Sequence, residues 1–173
     1  QHVYDRLVDA GTAFELGQAG YFALNSLRME KGYRHWGHDI GQDDMPREAG
    51  LDFAVAYEKP GGFIGRGALL QNRAQGVPER RLVQVRLEIN GPGPFLFHEE
   101  PILKDGQIVG SITSGAYGHR LNASLGMGYI SHPEGVTRDF VESGGFEVEI
   151  ACERFPATVQ FAPFLDPKGS RLK

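Results

Sequence analysis

Apolar and polar positions follow two different periods along this chain, and the change falls near residue 76. Before it the pattern mixes helix and strand. Val3, Leu7 and Val8 sit at helical spacing, and Gly11 follows as a stop. Phe14-Glu15-Leu16 predicts a short extended piece. Gln18 to Lys31 predicts a helix with Ala23, Leu27 and Glu30 stacked on one face and Gly32 as its C-terminal stop. Asp52 to Tyr57 alternates Phe53, Val55 and Tyr57 against smaller or polar residues, which predicts a strand. Pro60-Gly61-Gly62 is a turn. Arg66 to Gln75 predicts a short helix, weakened at Gly67 by about 1 kcal/mol against alanine.

Gly76-Val77-Pro78-Glu79 reads as a linker, and beyond it the period is two. From Leu82 to Ile89, Val83, Val85, Leu87 and Ile89 alternate with Gln84, Arg86 and Glu88. Ile102-Leu103 and Ile108-Val109 flank Lys104-Asp105-Gly106-Gln107, and Asp-Gly at that place is a strong hairpin signal. Ser111–Thr113, Leu125–Ile130, Phe146–Ile150 and Ala157–Phe161 are further short strands. No repeat recurs at 20–50 residues. The fold class is α+β: a mixed segment over 1–77, then a small antiparallel β-barrel or sandwich over 78–173.

Composition narrows the function classes. The chain has 173 residues, 40% of them apolar and 23% charged, which is a globular and not a disordered balance. The net charge of −4 lacks the basic excess of a nucleic-acid binder. No apolar run approaches the roughly 18 residues of a membrane span. The expectation is a partner that is neither nucleic acid nor membrane. The one cysteine, Cys152, excludes an internal disulfide, and its place after an alternating strand predicts a small buried residue.

Candidate chemistry is sparse. Gly61-Gly62-Phe63-Ile64-Gly65-Arg66-Gly67 fits neither a Walker A loop nor a dinucleotide fingerprint, and reads as a turn. His35 and His38 flank Trp36-Gly37 with Asp39 adjoining, too few ligands for zinc, so no metal site is expected. The ordinary reading there is a loop whose polar groups bond to backbone. Trp36 could also wall a planar ligand, since it offers a large face at little entropy cost. Glu30 lies at a helix C-terminus, where the dipole prefers cations. From spacing alone its role is a salt bridge with Lys31, Arg34 or Arg28. No nucleophile–base constellation follows from spacing.

Ala23-Leu24-Asn25-Ser26-Leu27-Arg28-Met29-Glu30-Lys31-Gly32 resembles the folate-binding domain of the glycine-cleavage T-protein (aminomethyltransferase) family. The order continues through Trp36-Gly37-His38-Asp39-Ile40, Pro46, Glu48-Ala49-Gly50-Leu51, Phe63-Ile64-Gly65-Arg66 and Ala68-Leu69. Gly110-Ser111-Ile112-Thr113-Ser114-Gly115 looks like the turn and strand of that family's C-terminal barrel, and Pro163-Phe164 like its closing strand. Lys31 to Gly37 and Tyr117-Gly118-His119 are more similar to the T-protein-like region of dimethylglycine and sarcosine dehydrogenases.

The resemblance implies the end of a tetrahydrofolate-binding domain over 1–77 and a barrel domain over 78–173. The implied activity is transfer of a one-carbon unit from an iminium, derived from an N-methyl amine, to tetrahydrofolate. Glu30 holds the position of the family's pterin-binding Glu, whose carboxylate accepts two adjacent N–H groups of the pterin edge. Trp36 stands where T-proteins carry an aromatic Tyr, and Lys59 is a loose match to a basic residue about thirty positions after the Glu. The family's C-terminal Tyr has no match in Asp166-Pro167-Lys168-Gly169-Ser170-Arg171.

The first residues, Gln1 to Val8, read as the middle of a helix without an initiating Met, so the expectation is a segment of a longer chain. The family's catalytic Asp, and the flavin (FAD) domain of the dehydrogenase group, would then lie before residue 1. The expected partners are a folate, a methylated amine and that preceding part of the same chain. The implied compartment is the cytoplasm in a bacterium or the mitochondrial matrix in a eukaryote. The rival reading is a non-catalytic folate-binding or interaction module of the same fold. One such relative, an iron–sulfur maintenance protein, carries a Lys-Gly-Cys-Tyr-x-Gly-Gln-Glu motif. The cysteine of that motif is missing from Lys31 to His38.

Overall fold

The computed structural model describes residues 1–89, 91 and 93–172. Among the described residues are four α-helices: α1 (His2–Gly11), α2 (Tyr21–Lys31), α3 (Arg66–Ala74) and α4 (Arg138–Glu142). Six strands follow the linker: β1 (Arg80–Leu87), β2 (Pro101–Lys104), β3 (Gln107–Gly118), β4 (Ala123–Ser131), β5 (Phe146–Ile150) and β6 (Glu153–Gln160). They close a barrel in the order β1-β4-β3-β2-β5-β6, every pair antiparallel. No helix among the described residues is long and apolar enough to cross a membrane.

The barrel is filled as the period of two requires. Val83, Val85 and Leu87 of β1 meet Ile112, Ile130, Phe146, Val148 and Val159 inside it. A second apolar layer lies outside. Met29 of α2 packs there with Leu82, Ala116, Leu125, Met127 and Tyr129, so β1, β3 and β4 are covered on both faces. This explains why Gln84 is buried although it alternates with interior valines. Its amide donates to the Met29 carbonyl and accepts the Phe164 N–H at 2.9 Å.

β3 changes face part-way. Its pairing with β4 shifts between Ile112 and Ser114, leaving Thr113 as a β-bulge. Ile112 therefore joins the interior, while Ala116, of the same parity, joins the outer layer.

Lys104 pairs with Gln107, and Asp105 (φ 49) and Gly106 (φ 79) form the predicted two-residue turn. α2 stops where Gly32 turns left-handed (φ 66); the Tyr33 amide then bonds to Arg28 O and the Gly32 amide to Met29 O.

Several expectations are corrected. α2 begins at Tyr21, not Gln18, because Gly20 stands extended at its N-cap. Thr12–Phe14 is a 3₁₀ turn followed by left-handed Glu15, not an extended piece. Asp52–Ala54 is also a 3₁₀ turn and no strand forms through Tyr57, since no neighbouring strand lies alongside to pair with it. Pro163-Phe164 is irregular: it docks through Gln84 and does not extend the sheet. Cys152 is exposed, with φ 67, at the tip of the β5–β6 hairpin.

Candidate ligand pocket beside Glu30

Glu30 is 1% exposed, in the last turn of α2. Its Oε1 accepts the Arg120 backbone N–H at 2.7 Å, from the turn joining β3 to β4. Among the described residues no cation pairs with this carboxylate. All three partners that helical spacing proposed are engaged elsewhere. Arg28 Nη1 pairs with Asp39 at 2.7 Å. Lys31 Nζ bonds to Asp166 O at 3.0 Å and Oδ2 at 3.3 Å. Arg34 donates to the carbonyls of Gly32, Ala49 and Gly50, and burial lowers its pKa. The salt-bridge reading of Glu30 is therefore corrected.

A buried carboxylate with one hydrogen bond has acceptor capacity to spare, since each oxygen carries two lone-pair sites. Two cavities of about 390 Å³ meet at Glu30, Leu27 and Arg120. One extends toward Tyr33, Leu165 and Asp166. The other runs past Phe22, Ala23, Ser26 and His119. The walls are mainly apolar, with the carboxylate at the dividing ridge. Such a place suits a flat heterocycle that offers N–H donors on one edge.

α2 is tied to β3 and the turn that follows it at three points. Besides Glu30 with Arg120, Ser26 Oγ donates to Tyr117 O at 2.7 Å. The third tie runs through Asp39, which is fully buried. Asp39 Oδ2 accepts Arg28 and the His35 N–H at 2.8 Å, and Oδ1 accepts the Thr113 hydroxyl at 2.7 Å. The loop of His35 to Asp39 is closed by its own backbone, with the amides of His38 and Asp39 on His35 O and that of Gly37 on Ile40 O. The Asp39 side chain, however, meets only one backbone N–H and otherwise two side chains, which the ordinary reading of the motif did not include. Asp39 itself went unsingled in the sequence; an Asp directly after a His pair was the available signal.

Trp36 is 68% exposed in that loop, and Lys59 is exposed in the turn after Tyr57. Neither lines a cavity that Glu30 lines. The structure thus does not bring the three expected folate residues together around one cavity of the chain.

The glycine cleavage T-protein C-terminal barrel domain matches residues 80–166, and the GCVT N-terminal domain matches 1–59. The chain belongs to the glycine-cleavage T-protein family. Within that family it is 45% identical over 172 residues to 4-methylaminobutanoate oxidase (formaldehyde-forming) of Paenarthrobacter nicotinovorans, covering 99% of this chain and 20% of the oxidase. It is 39% identical over 173 residues to human mitochondrial sarcosine dehydrogenase, covering 99% of this chain and 18% of the dehydrogenase. The chain thus spans about a fifth of the length of these curated relatives. The crystal structure of glycine cleavage system aminomethyltransferase T from Bartonella henselae superposes with a TM-score of 0.68 at 26% identity, over 84% of this chain and 38% of that one. The T-protein barrel is therefore the architecture of β1–β6.

Proposed function

We propose that this chain forms one wall of a tetrahydrofolate pocket in a one-carbon transfer enzyme, with Glu30 accepting the pterin edge. On this reading the tetrahydrofolate-binding domain ends at about residue 77 and the barrel begins at 78. The observation that carries the proposal is the buried Glu30 carboxylate: it meets one backbone N–H and no cation, at the ridge between two largely apolar cavities. A pterin presents an N–H and an amino group side by side, and a carboxylate takes such a pair in two charge-assisted hydrogen bonds. Tetrahydrofolate would supply the nucleophilic nitrogen that takes up the one-carbon unit. This chain's part is to hold the ring: Glu30 fixes its edge, Leu27 supplies apolar wall, and the Arg120 amide holds Glu30 in place. Positioning of this kind contributes rate because the accepting carbon is already electrophilic.

The oxidase and sarcosine dehydrogenase are named for N-methyl amine chemistry, which supports an amine-derived iminium as the one-carbon donor. The catalytic Asp and a flavin site are then expected in the polypeptide before residue 1.

The test is Glu30→Gln in the full polypeptide that carries this segment, titrated with tetrahydrofolate. An amide places a donor where the pterin needs an acceptor, so affinity should fall by about 2–4 kcal/mol, roughly thirtyfold to a thousandfold. Equal dissociation constants would make Glu30 an ordinary buried helix-end carboxylate. Folate binding without methylenetetrahydrofolate formation from any N-methyl amine would favour the non-catalytic module.

A further inference from the structure

Asp39 is 0% exposed, and the pterin reading makes no use of it. Both oxygens of its carboxylate are nonetheless engaged. Oδ2 takes Arg28 Nη1 at 2.7 Å and the His35 amide at 2.8 Å, while Oδ1 takes the Thr113 hydroxyl at 2.7 Å. Arg28 is two residues before Glu30 in the closing turn of α2. Thr113 is the bulged residue of β3, whose far end leads into the turn that offers the Arg120 amide to Glu30. A closed path therefore runs from Asp39 through Arg28 and α2 to Glu30, across to Arg120, and back along β3 to Thr113.

We infer that Asp39 is a positioning residue for Glu30: it fixes α2 on β3 so that the Glu30 carboxylate meets the Arg120 amide and faces the ridge between the two cavities. The functional half of this inference rests on the pterin reading; the mechanical half does not. The bulge is the local evidence. An unbroken strand would give residue 113 no extra position, and bulges commonly re-aim one side chain. Here the re-aimed side chain is the Thr113 hydroxyl, whose shorter contact, 2.7 Å, is to Asp39, against 3.2 Å to Met127 O. A hydrogen-bonded buried polar cluster selects one arrangement, and removing the Asp39 charge leaves Arg28 without its ion partner, held only by Asn25 Oδ1 and Tyr33 O. Only Met29 separates Arg28 from Glu30 in α2, so a shift at one is carried to the other. Ligand geometry tolerates only about 0.5 Å.

The test has two readouts in the full polypeptide. Asp39→Asn keeps the volume and removes the charge; Thr113→Val keeps the ion pair and removes only the hydroxyl donor. The first readout is hydrogen exchange of the Arg120 amide. It should accelerate at least about tenfold in Asp39→Asn and less in Thr113→Val, with the amides of β2 and β5 unchanged. The second is tetrahydrofolate affinity in a double-mutant cycle. Asp39→Asn should weaken binding about tenfold alone, and less than about twofold in a Glu30→Gln background. A merely structural Asp39 would lower the melting temperature with the Arg120 amide still protected, and its affinity effect would add to that of Glu30→Gln. Either result overturns the inference. If Asp39→Asn does not fold, Thr113→Val decides alone: unchanged Arg120 exchange refutes the positioning role. Wild type that binds no tetrahydrofolate while the exchange effect holds would refute the pterin reading and leave the positioning of Glu30 standing.

Discussion

Gln84, at the centre of β1, joins two segments that are distant in sequence: its amide donates to Met29 O at the end of α2 and accepts the Phe164 N–H at 2.9 Å. One side chain thereby holds the helix of the candidate pocket and the tail that passes beneath it. Gln84→Leu would leave the part-buried Phe164 amide without its partner and the Met29 carbonyl with the Gly32 N–H alone. The expected loss is about 1–3 kcal/mol of unfolding free energy, the cost of one unmade hydrogen bond at a largely buried group. Denaturant titration with an unchanged slope and a lower midpoint would show it.

The β5–β6 turn is strained in a way that can be relieved. Ala151 (φ 50) and Cys152 (φ 67) both sit in the left-handed region between the paired residues Ile150 and Glu153. Two-residue hairpins of this kind prefer Asn-Gly. A double change, Ala151→Asn with Cys152→Gly, should stabilise the chain by about 1–2 kcal/mol, given a cost of roughly 1–2 kcal/mol per left-handed non-glycine residue. Thermal melting measures it. A companion check is that the exposed Cys152 of the native chain reacts with a thiol reagent without prior unfolding.

Acid should release the tail before the barrel. Hydrogen bonds from the Ser170 hydroxyl, from the amides of Arg171 and Ser170 and from Lys31 hold the Asp166 carboxyl well below the usual carboxylate range. A depressed folded pKa contributes stability above the unfolded value, about 3.9, and that contribution is lost as pH falls through the folded value. Amide protection over 166–171, taken relative to intrinsic exchange at each pH, should therefore hold at neutral pH and be lost in strong acid. Asp166→Asn should remove that protection at every pH.

Trp36 and Lys59 give a contrast to Glu30. Both lie off the two cavities that Glu30 divides. Trp36→Ala and Lys59→Ala are expected to change tetrahydrofolate affinity by less than about twofold, within 0.4 kcal/mol, in the same titration that tests Glu30.

The barrel was readable because its strands announce themselves locally. Val83, Val85 and Leu87 alternate, and Asp105-Gly106 marks its hairpin without outside help. What stayed hidden depends on residues far away in sequence. Gln84 looks solvent-facing until Met29 and Phe164 are brought to it. The bulge at Thr113 leaves no trace in a pattern of apolar positions, since it only changes which face Ala116 takes. Asp52 to Tyr57 alternates like a strand, yet no partner edge is there to accept it. Glu30 could be singled out by its place in a motif, but spacing alone suggested Arg28, Lys31 and Arg34 as partners. Their capture by Asp39, by Asp166 and by backbone carbonyls was visible only in three dimensions.

The strands that shut the barrel, β1 and β6, are its first and last in chain order, and β6 is followed by Phe161 to Phe164 and then by Leu165 and Asp166. Leu165 donates its amide to Glu30 O at 3.3 Å and Asp166 holds Lys31. That wall of the cavity beside α2 therefore comes from residues that follow the strand closing the barrel. A chain cut within β6 would lose barrel closure and that wall together, and the cavity beside Glu30 would stand open on the side that Leu165 and Asp166 line.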